Sequence, residues 1–388
     1  MISQGHHKHP KLTRPKLGNF GRNEWAILGA PCPAIQALAK WLIGNLSEQY
    51  HCAYVDAKHL SADTPAASEG MLSEGAILDY CDAIHHRQLM ASATWGAHQY
   101  RAIFNEADAI FVNGNHHAAA AQILIIDTAK ADSLKRRIGQ LTNVRLILLT
   151  DENVPVFDFL EKALPDISRI PTLQLRDKTG IKQFFEQEMQ QNIPLLNGLI
   201  LAGGQSVRMG QDKGAIAWHG KPQREYLLEL LRPVCAAVFI SCRSEQQHDF
   251  QAINPTIPDT FLGLGPLGAI LSAFRAHPDR AWLVLACDLP LLDSATIDFL
   301  VQNRCVRKTA TAFKSPFDEL PEPLITIWEP KAYAVLLSFL AQGYSCPRKV
   351  LINADTQLLS APDPGALQNV NTPEDLAKMQ QHPAFYLK

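Results

Sequence analysis

The sequence predicts an α/β protein of two domains, each built on a mostly parallel sheet covered by helices. Three observations carry this. The 388 residues exceed what one hydrophobic core ordinarily organises. Short apolar runs alternate with longer helical stretches in both halves, the pattern of parallel strands joined by crossovers. Between the halves a Gln-rich polar helix end over 186–193 is closed by Pro194, where a connector is expected. The boundary is therefore set at residue 190, with a basic tail opening the first domain (1–190) and the second spanning 191–388.

In the first half, 25–28 reads as a strand, followed by a turn and an amphipathic helix over 34–46. A second strand over 52–55 ends at Asp56. Further strands are expected at 109–112, 122–126 and 145–149, with helices near 76–106, 132–141 and 157–164. The first strand-turn-helix is where a P-loop fold would hold nucleotide. That loop needs G-x-x-x-x-G-K-[ST], the lysine on phosphate and the hydroxyl on magnesium. Here Gly29 is present, but Ala34, Ile35 and Gln36 replace the second glycine, the lysine and the hydroxyl. Pro31 and Pro33 also remove backbone donors. The topology is P-loop-like and its nucleotide chemistry is degenerate.

Histidines cluster at His6, His7 and His9, at His85-His86 and at His116-His117. Adjacent histidines on a helix point apart, and no cysteine or carboxylate stands at ligand spacing in the sequence, so a metal role is not favoured. His116 and His117 follow a strand end, where ligands bind in open α/β sheets, and are the first pair to test.

Composition excludes several classes. The chain is 47% hydrophobic and 19% charged with a formal net charge of −2, which offers no field for nucleic acid or a membrane surface. No apolar run reaches the length of a membrane span, and the opening GHHKHPKLTRPK lacks the apolar centre of a secretory signal. The eight cysteines, Cys32, Cys52, Cys81, Cys235, Cys242, Cys287, Cys305 and Cys346, never form C-x-x-C and several lie in apolar runs. Reduced thiols in a cytoplasmic protein are expected.

The chemistry concentrates in the second half, at GLILAGGQSVRMGQDK over 198–213. A buried strand ends in Leu201-Ala202-Gly203-Gly204, where missing side chains let a ligand approach the backbone and amides can hold phosphate oxygens. Arg208 and Lys213 add positive charge for the same phosphates. A helix over 222–231 and a strand over 237–241 follow. Asp259 stands in a loop with Gly263, Gly265 and Gly268, before a helix ending near 276. The strand over 282–286 delivers Asp288 to the same rim, a natural magnesium ligand. The next helix starts at Asp293-Ser294, so capping leaves Asp288 unexplained. A strand over 323–328 and a helix over 330–341 come next. Near the end, Thr372-Pro373-Glu374-Asp375 forms a helix start. Asn369 and Asn371, alternating about Val370 on an expected strand end, are candidates for substrate or metal contact.

Taken together, LAGGQSVRMGQDK, PDTFLGLGPLGA, ACDLP and NVNTPEDLAKM resemble the motifs of the molybdenum cofactor guanylyltransferase family, in that order and across about 197–380. The resemblance implies a Rossmann-like nucleotidyltransferase domain of the nucleotide-diphospho-sugar transferase type. Leu201, Ala202, Gly203 and Gly204 would then line guanine and phosphates, Lys213 would bind phosphate, Asp259 would contact nucleotide and Asp288 would hold Mg2+. It implies a transfer of GMP from GTP to the phosphate of molybdopterin, with Arg208 and Lys213 stabilising the leaving pyrophosphate. A recipient molybdoenzyme or other cofactor-pathway protein is the implied protein partner. The chain departs from the family at the end of its second strand, where Ser241-Cys242-Arg243 replaces a common asparagine and alters base recognition. The first half more thinly resembles the P-loop adaptor of the same pathway, the MobB type, with a disabled loop. Two alternatives stay open: a nucleotidyltransferase for another phosphorylated acceptor, and a non-catalytic molybdopterin carrier.

Overall fold

The computed structural model describes residues 18–57, 70–204, 212–251 and 254–385. The chain divides into two compact units, 1–192 and 193–388.

The first unit runs β1 (Glu24–Leu28), α1 (Cys32–Leu46), β2 (Cys52–Val55), β3 (Leu78–Asp82), β4 (Arg87–Ala91) and α2 (Ala97–Ile103). It continues through β5 (Ala109–Asn113), β6 (Ala121–Ile126), α3 (Ala131–Arg136), β7 (Val144–Leu149), α4 (Asp158–Ala163), β8 (Thr172–Gln174) and α5 (Lys178–Gln191). Six strands form one sheet in the order β2-β5-β1-β6-β7-β8, every neighbouring pair parallel. β1, β5 and β6 are buried throughout, as a sheet covered on both faces requires. On α1 the buried positions are Ile35, Leu38, Ala39, Leu42 and Leu46, the one-sided stripe of a helix lying on a sheet. It packs with Trp25, Phe111 and Phe185 into one core, while Phe20, Leu124 and Leu160 belong to a second core cluster of the unit. This is the P-loop-like parallel sheet that the strand and helix spacing predicts.

One expectation fails. The stretch 76–106 holds no long helix. It contains the antiparallel hairpin β3–β4 and only the short α2. Leu78, Tyr80 and Asp82 alternate with Asp79 and Cys81 in a two-residue period, and the turn between the strands closes with the Ala83 amide donating to the His86 carbonyl. His85 and His86 therefore sit at an exposed hairpin turn rather than on a helix.

The second unit runs β9 (Leu196–Leu201), α6 (Gln223–Leu231), β10 (Ala237–Cys242), α7 (Gln247–Gln251), β11 (Thr256–Pro258), α8 (Pro266–Ala276), β12 (Ala281–Ala286) and α9 (Ser294–Gln302). Then come β13 (Ala310–Lys314), β14 (Pro321–Trp328), α10 (Ala332–Ala341), α11 (Pro347–Asn353), β15 (Thr356–Leu359) and α12 (Pro373–Gln380). The sheet order is β11-β10-β9-β12-β14-β13-β15. β9, β10, β11 and β12 are mutually parallel where they pair. β14 runs against both its neighbours, β12 and β13. Of β9 the whole length but Leu201 is buried, and β12 is buried end to end. β9 lies where the strand order reverses, so its carboxyl end opens into the crevice that doubly wound sheets use for ligands.

Candidate active site

The carboxyl ends of β9, β10 and β12 open onto a cavity of about 280 Å³. It is lined by Leu201 to Gly204, Asp212 to Gly214 and Ala286 to Asp288, together with Ser241, Asp259, Gly265 and Pro266. Each position has a local cause. The Ala202 amide donates to the Ser241 carbonyl at 3.0 Å, prolonging the β9–β10 pairing into the loop. A Cβ on Gly203 would stand 3.2 Å from the Arg243 amide nitrogen and from the Cys242 Cα, so any larger residue would have to push the loop off the end of β10 by a few tenths of an ångström. Gly204 meets nothing within 4 Å and leaves its side of the loop open. Across the cavity, Gly265 opens α8 at a φ of 55°, a left-handed conformation that side chains resist. A Cβ on Gly268 would fall 2.3 Å from the Phe261 carbonyl oxygen, which fixes the loop against the helix.

Lys213 is the hub. Its Nζ donates to Asn371 Oδ1 at 2.7 Å and lies 3.4 Å from Asp288 Oδ2. Asp212 fixes the backbone there, accepting the Gly214 amide at 2.9 Å and pairing with the buried Arg224 guanidinium at 3.0 Å. Arg224 in turn stacks over Phe250 at 4.9 Å. Val370 is buried, and its amide donates to the Asp288 carbonyl at 2.9 Å. This bond brings the segment before α12 beside the end of β12. Asn371 is then held from behind, because its amide and that of Thr372 donate to the Asp375 carboxylate.

The two other carboxylates differ in their partners. Asp259 accepts a hydrogen bond from Ser241 Oγ at 3.0 Å. Burial pushes its acid up, and the serine bond only partly opposes this. Burial also pushes Asp288 up, against the opposing charge and hydrogen bond of Lys213. Both carboxylates are thus charges at a desolvated rim, and a further cation beside them would favour their ionised forms. Cys287, buried next to Asp288, has its thiol pushed up to about 12 by burial and offers no ready nucleophile.

The cavity collects Leu201, Ala202, Gly203, Gly204, Lys213, Ser241, Asp259 and Asp288 from five segments of the sequence. Arg208 lies outside the described residues. Asn371 reaches the site through Lys213. Asn369 is half-buried and is not part of the cavity wall. The expected strand end under these asparagines is absent, since residues 368–371 are irregular and the chain is set by a short 3₁₀ turn (Pro364–Leu367) and the Asp288–Val370 bond. Sequence reasoning missed Asp212, Arg224 and Leu324. No local signal marks Arg224, which shares its buried helix face with Gln223, and Leu324 has no motif at all. Among the described residues no group of three or more metal-binding side chains is arranged to hold an ion, and no helix is long and apolar enough to cross a membrane.

Residues 198–357 match the family model described as a MobA-like NTP transferase domain. The chain is 36% identical over 193 residues to a molybdenum cofactor guanylyltransferase of Pseudomonas paraeruginosa, which covers 48% of this chain and 95% of that one. It is 33% identical over 211 residues to a molybdenum cofactor biosynthesis bifunctional protein of Synechocystis, covering 54% of this chain. That match spans 59% of the Synechocystis protein. Among solved structures, molybdopterin-guanine dinucleotide biosynthesis protein A of Archaeoglobus fulgidus is similar at a TM-score of 0.40 and 23% identity, over 47% of this chain and 96% of that one. The matched span carries the glycine loop, Lys213, Asp259 and Asp288 on one rim. On the family match and the 36% identity across 95% of the Pseudomonas protein, this chain belongs to the molybdenum cofactor guanylyltransferase family of nucleotidyltransferases.

Proposed function

We propose that the second unit transfers GMP from GTP to the phosphate of molybdopterin, giving molybdopterin guanine dinucleotide and pyrophosphate. The observation that carries this reading is the placement of Lys213, held between Asp288 and Asn371, opposite a strand-end loop stripped of side chains. An acceptor phosphate oxygen attacks the α-phosphorus of GTP, a new P–O bond forms, and the bond from α-phosphorus to the bridging oxygen breaks. The attacking group is already an anion, so no serine or cysteine nucleophile is required, in keeping with the inert Cys287. Positioning and charge neutralisation are what the site must supply.

The chain's residues divide that work. The loop Leu201 to Gly204 cradles base and phosphates against the backbone. The Ser241–Asp259 pair meets the nucleoside. Lys213 lies on the phosphates and, with Arg208, neutralises the leaving pyrophosphate. Asp288 suits Mg2+: it is a hard oxygen donor at the cavity wall, and this ion is usually held by one or two carboxylates together with substrate phosphates and water. Magnesium, when bound, would neutralise phosphate charge at the α-phosphorus. Asn371 keeps Lys213 aimed. Asn369 has no role in this reading. We read the first unit, with its disabled loop at Gly29, as a partner module resembling the adaptor of the same pathway, and a recipient molybdoenzyme as the destination of the product.

The test is to incubate the protein with GTP, Mg2+ and molybdopterin and identify the product by mass. A mass equal to molybdopterin plus GMP, with matching pyrophosphate, is expected. Equal turnover with CTP, or with a sugar phosphate as acceptor, points to a different nucleotidyltransferase. Tight molybdopterin binding with no pyrophosphate release points to a carrier.

A further inference from the structure

The first unit carries a cluster of reactive side chains that the transfer reaction does not use. β1 leaves its sheet at Gly29, whose φ of 92° and lack of room for a Cβ beside the Ile125 carbonyl force a sharp turn. α1 begins immediately after, at Cys32. β2 delivers Asp56 and β5 delivers the turn Asn113 to His117 to the same edge. Three segments distant in sequence thus meet. His116 Nε2 lies 3.4 Å from Cys32 Sγ and 3.7 Å from Asp56 Oδ1, and Asn115 Nδ2 donates to Cys32 Sγ at 3.6 Å.

The supporting bonds hold Asp56 firmly. Tyr54 Oη at 2.7 Å and Gln36 Nε2 at 2.9 Å donate to one carboxylate oxygen; Asn113 Nδ2 at 2.9 Å and the Ala57 amide at 2.8 Å donate to the other. Burial pushes this acid up, but the bonds from Gln36, Tyr54, Ala57 and Asn113 outweigh it and hold Asp56 below the usual carboxylate range. Gln36 occupies the position where a phosphate loop carries its hydroxyl. One of the three residues that depart from the phosphate-loop pattern is thus the one that braces the carboxylate.

We propose that Cys32 is a nucleophilic thiol with His116 as its general base, and that this edge takes a small disulfide, leaving a mixed disulfide on Cys32. His116 Nε2 accepts the thiol proton, and the resulting imidazolium lies between the thiolate and the Asp56 carboxylate, each of which stabilises it. Cys32 Sγ attacks one sulfur of the disulfide; the new S–S bond forms as the old one breaks. The departing thiolate takes the proton back from His116, so no further oxidant is consumed. Displacement at sulfur is favoured over acyl transfer because the turn is poor in oxyanion donors: Pro31 and Pro33 lack an N–H, and the Ala34 and Ile35 amides both donate to the Pro31 carbonyl. A metal reading is disfavoured because both oxygens of Asp56 are already engaged by donors, and no group among the described residues is arranged for an ion.

The experiment is to treat the full-length protein with a substoichiometric chromogenic aromatic disulfide, follow thiolate release, and map the modified cysteine by mass. Cys32 is expected to be modified first, about tenfold or more faster than the exposed Cys81 and Cys346. His116→Gln should slow Cys32 about tenfold or more while the rate at Cys346 stays unchanged. A wild-type Cys32 that reacts no faster than Cys346 overturns the proposal without recourse to any variant. An unchanged Cys32 rate in His116→Gln overturns it as well.

Discussion

Two neighbouring glycines separate structure from binding at the level of single residues. A methyl group on Gly203 meets the backbone of β10 at 3.2 Å, whereas one on Gly204 meets nothing. Gly203→Ala is therefore expected to lower stability by about 1–3 kcal/mol, seen as a reduced urea midpoint. Gly204→Ala should leave that midpoint in place and raise KM for GTP instead, because its methyl points into space a phosphate would take. Equal effects of the two would mean that the loop rests on β10 differently. Lys213→Ala is expected to lower kcat for pyrophosphate release by about 10²-fold or more, while Ser241→Ala, which leaves Asp259 without its donor, should cost roughly 1 kcal/mol, about fivefold in KM for GTP. Steady-state kinetics with GTP separates the two. The glycines, Lys213 and Asp288 were legible because each breaks a local rule: missing side chains at a strand end, or a charge where the chain is otherwise apolar. Arg224 was not, because an arginine on a helix reads as solvent-facing until Asp212 and Phe250 are seen beside it.

The start of α12 shows how one element controls another. Thr372 caps the helix by accepting the Asp375 amide, and the Asp375 carboxylate returns two bonds to the amides of Asn371 and Thr372. The backbone bond from Asn371 is the main cause holding the Asp375 acid below its usual 3.8. A carboxylate depressed in the folded state stabilises above the unfolded value and loses that contribution as pH falls through the folded one. Urea unfolding of the wild type should therefore weaken below about pH 4, and Asp375→Asn should remove this part of the pH dependence. Thr372→Ala is expected to cost about 1 kcal/mol in the same assay. Asp375→Asn, which weakens the acceptor of the Asn371 amide, should also lower transfer activity; unchanged kinetics would show that this brace does not aim Lys213. The capping sequence was readable from Thr-Pro-Glu-Asp, but the adjoining strand was not there to be read. Its asparagines are placed by a long-range bond to Asp288, which no local pattern encodes. The hairpin β3–β4 was missed for a related reason: its alternation is short, and its outer faces are exposed, so the hydrophobic signal is weak.

At the scale of the whole molecule, the two parallel sheets were legible because long buried strands such as β5, β6, β9 and β12 are nearly pure apolar runs bounded by turns. Short edge strands such as β8 and β15 carry too few residues to stand out. Each unit closes its own cores, with Trp25, Phe111 and Phe185 in the first and Trp282, Phe274 and Trp328 in the second. A fragment of residues 193–388 is therefore expected to fold cooperatively and to retain pyrophosphate release with kcat within a small factor of the full chain. Circular dichroism melting and the same kinetic assay test this, and a fragment that fails to fold would show that the second core depends on the first unit.

The reversed direction of β14 separates two kinds of selectivity. Because it runs against β12, Ile325 pairs with Leu285, and the preceding residue, Leu324, comes up beside the carboxyl end of β12 to line the cavity. The glycine loop, Lys213 and Asp288 descend from parallel strands and their turns, whereas Leu324 enters on a strand travelling the other way. Substitution there can reshape the cavity wall without touching the groups assigned to phosphate and metal. Changes in which acceptor is admitted and changes in how the phosphates are handled can thus accumulate at separate addresses in one gene.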